Sequence, residues 1–143
     1  MANFDAPTIG DVAVVESIIQ YTAPAEEAIV GGRYVRLNTT SGTVEYGKGT
    51  NAAEARRGGI AIKSAAAGEA VTVLVLGTID LGDIFSAAAY DSSVFLSDTD
   101  GRLATSDDGT VMRYVGKVVP GWGATTADKL LFVNGVAGLE TAV

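Results

Sequence analysis

The chain has 143 residues, 48% hydrophobic and 19% charged, a composition that suits one globular domain with its own core and excludes a disordered segment. Its net charge of −7 and pI near 4.4 argue against a nucleic-acid partner, because affinity for phosphates comes from Lys and Arg. With no cysteine and no histidine, the chain has no disulfide framework, no thiolate nucleophile and no imidazole base or metal ligand.

Residues 1–10 lack periodicity and read as an extended N-terminal arm whose apolar groups are Phe4, Pro7 and Ile9. The start has no basic-then-apolar order of a signal peptide, so synthesis in the cytoplasm is expected. Residues 12–20 are rich in Val and Ile and predict a strand, which the stretch Tyr21-Thr22-Ala23-Pro24 is expected to break. Residues 33–38 alternate, and Ser41-Gly42 predicts a hairpin turn onto residues 43–46. Residues 51–57 are the best helical candidate, with Asn51 as cap and Glu54 three positions on.

The middle of the chain, residues 58–82, carries its longest apolar run, at residues 70–76. Membrane spans need about 20 apolar residues, so this run crosses nothing. Its β-branched residues predict a strand with Val71, Val73 and Val75 on one face and Leu74 and Leu76 on the other. A strand apolar on both faces is either central in the core or buried at a subunit interface. Gly77 predicts a bend before a second short strand, and residues 83–91 a loop or a single helical turn. Residues 93–97 and 102–105 flank the turn Asp98-Thr99-Asp100-Gly101, residues 111–119 form a further strand, and a turn containing Trp122 precedes the last one at 129–134. About ten short strands with closely spaced turn signals predict an all-β fold. It is a single small antiparallel β-barrel or sandwich over residues 11–143, with the arm at 1–10 and at most one or two short helices.

Few residues offer chemistry. The stretch from Gly42 to Lys48 approaches a phosphate loop, but Gly49 stands where the Mg²⁺-binding hydroxyl belongs, and the segment reads as a strand ending in a glycine-rich bend. Asp98, Asp100, Asp107 and Asp108 form acidic turns without the ligand spacing of a calcium loop. No catalytic motif is present, and neither an enzyme nor a cofactor is expected. Arg56 and Arg57, in an acidic protein, suit a partner's carboxylates as well as a solvated helix end, and Trp122 suits a partner contact or the cap of a small core.

From about residue 27 onward the order of signals resembles the tailed-bacteriophage head decoration (capsid cement) proteins. The resemblance is carried by Gly32-Arg33-Tyr34-Val35, Gly59-Ile60-Ala61, the Ala-Gly-Glu-Ala-Val-Thr-Val stretch from Ala67 to Val73, and Gly77-Thr78-Ile79. It continues through Val94-Phe95-Leu96-Ser97, Gly101-Arg102-Leu103-Ala104-Thr105 and Val115-Gly116-Lys117-Val118. It implies a structural virion protein on the outer capsid surface, a homotrimer that clamps adjacent major capsid subunits, with no catalytic residues. The arm lies outside the resemblance. Phe4, Pro7 and Ile9 are expected to bind the capsid together with Arg56, Arg57 and Trp122, and Val71, Val73, Leu74, Val75 and Leu76 to form core or subunit interface. The alternative is a receptor- or carbohydrate-binding β module of a phage fibre or tail, with Trp122 and the tyrosines as its stacking surface.

Overall fold

The computed structural model describes residues 3–105, 110–121 and 128–136. Among these residues nine strands follow a 3₁₀ turn at Ile9–Asp11: β1 (Val12–Pro24), β2 (Tyr34–Leu37), β3 (Val44–Tyr46), β4 (Gly59–Ala61), β5 (Ala70–Leu81), β6 (Ser93–Leu96), β7 (Leu103–Ala104), β8 (Tyr114–Pro120) and β9 (Lys129–Asn134). All named strand pairs are antiparallel, in the order β3-β2-β4-β5-β9-β8-β6-β7, and β1 pairs with β5 along its whole length. The all-β antiparallel fold is the expected one. No α-helix occurs among the described residues, and no helix there is long and apolar enough to cross a membrane.

β5 organises the molecule. One of its edges carries β1, and the other is shared between β4 and β9. Val73 and Leu74 are successive residues on opposite faces, and both are fully buried. Val73 belongs to a small core with Ile29, Val35, Val44 and Ala61, whereas Leu74 belongs to a larger core with Ile60, Ile79, Leu81, Phe85 and Leu131. Of the two alternatives left open for the apolar run, core is correct for Val71, Val73 and Leu74, while Val75 and Leu76 stay partly buried.

The face turned to the larger core switches parity within β5. Even-numbered Leu74 and odd-numbered Ile79 both face the larger core. The slip occurs at Val75, which has no partner on β1 between the pairs Gln20↔Leu74 and Ile19↔Leu76. Gly77 is therefore an internal residue of β5 and not the end of a strand. Its φ of 154° and the carbonyl oxygen of Glu16, 2.2 Å from where a Cβ would stand, leave room only for glycine.

Three further expectations are corrected. Tyr21-Thr22-Ala23-Pro24 continues β1 instead of breaking it, because Tyr21, Thr22, Ala23 and Pro24 stay in register with Val73, Thr72, Val71 and Ala70; Pro24 is tolerated as the last residue of an edge strand. Residues 51–57 make one turn and no helix. The cap contacts form, with Glu54 donating its N–H to Asn51 Oδ1 at 2.9 Å, but a single Ala55-to-Asn51 backbone bond does not repay helix nucleation before β4 begins. The arm at 1–10 is not wholly outside the domain. Asn3 bridges antiparallel to Ala104, the Phe4 N–H donates to Leu103 O at 2.9 Å, and the Phe4 ring packs edge-on against Phe85 with centroids 4.8 Å apart.

Candidate functional site

The basic residues singled out in the sequence are brought together with others from distant parts of the chain. The turn at 51–55 presents Arg56 and Arg57 to solvent. Its backbone is held from two sides: Tyr34 Oη donates to Arg56 O at 2.8 Å, and Arg113 Nε donates to Ala55 O at 2.6 Å. Asn51 and Thr50 both donate to Glu54 Oε2, and the Thr50 hydrogen bond, helped by Lys48 and Arg36, holds the Glu54 carboxyl below its ordinary pKa. That carboxylate thus stays charged and fixes the turn.

The result is an open cleft of about 440 Å³ lined by Leu37, Thr39, Ala52, Arg56, Arg57 and Arg113. Three arginines and the partly exposed Leu37 line this cleft, in a chain of net charge −7. Arg113 carried no signal in the sequence, since it lies more than fifty positions from Arg57 and joins it only through the packing of residues 110–113 beside the 51–55 turn.

The other expected contact residues scatter. Phe4 is 8% exposed in the larger core and offers no surface to a partner, which corrects its assignment as a capsid contact. Pro7 is half-buried, with its ring close over Gly32, and Ile9 is 55% exposed on the 3₁₀ turn. Trp122 lies outside the described residues, as do Asp107 and Asp108. Among the described residues no three acidic side chains converge in a metal-holding group. The segment resembling a phosphate loop contains strand β3.

A second, wider cleft of about 630 Å³ is acidic, lined by Asp11, Asp80, Asp83 and Asp128 with Lys129. Its polar groups serve the local fold. Asp80 Oδ1 accepts from the Gly82 N–H, Tyr90 Oη donates to Asp128 at 2.9 Å, and Lys129 Nζ donates to the carbonyls of Ser86 and Ala88. Lys129 also covers the Tyr90 ring at 5.1 Å from its centroid, so one face of this exposed tyrosine is occupied.

No family model matches the chain, and no curated protein matches it.

Ile18 and Ile19 were missed as functional candidates. They are 58% and 46% exposed on β1, yet in the sequence they read as ordinary strand residues. The register shifts around them, at Val14/Glu16, Ser17/Ile19 and Ile19/Gln20, interrupt the alternation that the sequence suggests.

Proposed function

We propose that this chain is a structural virion protein that decorates a phage head, binding the outer surface of adjacent major capsid subunits after synthesis in the host cytoplasm. The observation that carries the reading is the cleft of Arg56, Arg57 and Arg113, a concentrated positive site on an acidic β module, with the resemblance to cement proteins pointing the same way. Binding is the function this geometry supports, because the cleft is open and lined by cations around an apolar floor, with no nucleophile paired to a base. Its natural occupant is an acidic loop of a shell subunit carrying one apolar side chain for Leu37. Ile9 adds an exposed apolar contact on the arm.

Three copies per site is what the resemblance implies. The two-faced apolar run that left a subunit interface open is largely taken up inside one subunit: Val71, Val73 and Leu74 lie in its cores, and Val75 and Leu76 are partly buried. The number three therefore rests on the resemblance alone.

The test is rebinding to particles stripped of the protein, with the paired substitutions Arg56→Glu and Arg57→Glu. Both side chains are exposed, so the thermal midpoint should stay put while affinity falls about tenfold, equivalent to about 1.4 kcal/mol. The loss should shrink as salt rises, because exposed charges are screened. Full occupancy by the variant would remove the cleft from the footprint. Labelled particles imaged with the protein on fibres or tails, and not over the head, would favour the carbohydrate- or receptor-binding alternative.

A further inference from the structure

Among the described residues the sheet closes all but one of its edges with its own chain. β7 is covered by Asn3 and Phe4. β3 is covered by Ala25, which bridges Val44 in parallel, and by the Glu26 N–H donating to Val44 O at 2.7 Å. The outer edge of β1 is different. Its residues pair with β5 on one side; the Val12 N–H donates back to Ile9 O, and beyond it no backbone hydrogen bond reaches Ala13–Ala23 from any other described segment. The alternate residues of Ala13–Ala23 whose N–H and C=O groups point away from β5 thus meet no described partner.

The usual protections of such an edge are sparse here. β1 contains no lysine or arginine, its proline stands at the last position, and Glu16 is its only charge. The bulges kink the strand but add no charge to its rim, and Ile18 and Ile19 stand exposed at its centre.

We propose that this edge pairs with the same strand of a second copy, antiparallel about a two-fold axis at Ile18. The occupant follows from self-complementarity. About this axis Ile18 meets Ile18, and Glu16, the one charge of each strand, falls on the side of the partner strand's Gln20 end, so apolar meets apolar and no like charges face one another. Registers that set Glu16 opposite Glu16 are disfavoured by repulsion. No other named strand of the sheet has a comparably open edge, so head-to-tail pairing between unlike edges has no second half. The contact joins copies in twos and leaves the basic cleft, built on the 51–57 turn, uncovered; it stands independently of the capsid reading.

The absence of native cysteine gives a direct probe. Residues directly opposite in an antiparallel pair lie about 4.5–5.5 Å apart at Cα, within the range a disulfide spans. The variant Ile18→Cys should cross-link to a covalent dimer under mild oxidation at least tenfold faster than Thr40→Cys, placed on the exposed β2–β3 turn. In sedimentation of the cysteine-free protein, Ile18→Lys should halve the mass of the assembly at equal concentration while leaving the thermal midpoint unchanged, because the side chain is solvent-exposed in the subunit. Equal cross-linking at both positions, or an assembly mass unaffected by Ile18→Lys, would overturn the pairing. So would a monomer whose β1 amides gain protection from hydrogen exchange only on capsid particles, an outcome that assigns the edge to the shell.

Discussion

Tyr21 shows how much one side chain of an edge strand contributes to holding it. It stands opposite Val73 and packs on the smaller core, next to the Thr22–Thr72 hydroxyl pair at 2.8 Å. Burial pushes its phenol pKa up to about 12 from the ordinary 10.0, because the phenolate loses hydration there. The sign follows by linkage. Below pH 10 the phenol is protonated folded or unfolded and contributes no pH dependence; between 10 and 12 only the unfolded chain ionises, and stability falls as pH rises. Thermal melts across that window should show a declining midpoint for the native chain and a shallower decline for Tyr21→Phe. Tyr114, raised chiefly by desolvation, accounts for part of what remains. Parallel slopes for the two proteins would place Tyr21 in water.

Among the elements, β5 carries the strictest demand, and Gly77 is where it is concentrated. The Glu16 carbonyl oxygen approaches to 2.2 Å of the missing Cβ, and the Leu74 side chain to 3.0 Å. A backbone oxygen cannot step aside without breaking the β1–β5 ladder, so Gly77→Ala should cost roughly 1–3 kcal/mol through strain and overpacking. Gly10→Ala is the control, since nothing lies within 4 Å of its Cβ position, and it should be close to neutral. Urea unfolding of both variants measures the contrast. Equal midpoints would mean that β1 can slide past β5 at no cost.

For the molecule as a whole, the N-terminal segment is both part of the core and part of the surface. Phe4 fills the larger core against Phe85, and Arg102 donates to the Phe4 carbonyl from the turn before β7. Ser97 Oγ donates to Asn3 Oδ1 at 2.7 Å, fastening the segment again. Phe4→Ala should therefore destabilise the fold by roughly 3–5 kcal/mol, the range for a large aromatic removed from a core. Ile9→Ser should leave stability within about 0.5 kcal/mol, because that side chain is mostly in water. Denaturant midpoints separate the two. Deleting the whole arm would confound folding with particle binding, so Ile9→Ser is the cleaner probe of a capsid contact.

Local pattern determined the all-β class and some strands in full. β9 was predicted to the residue at Lys129–Asn134, and the hairpin joining β2 and β3 at Ser41-Gly42 was legible because alternation and turn chemistry act over a few neighbouring residues. Arg56 and Arg57 were legible as a basic pair, but not as part of a cleft. What remained hidden depends on partners far away in the chain. Tyr21-Thr22-Ala23-Pro24 looks like a break until β5 supplies its register, and residues 51–57 look helical until the carbonyls of Ala55 and Arg56 are drawn toward Arg113 and Tyr34. Val73 and Leu74 announced a strand apolar on both faces, while only packing decided that each face meets a core of the same subunit. The openness of β1 and the exposure of Ile18 are likewise tertiary, because an edge exists only once every other strand has found its neighbour.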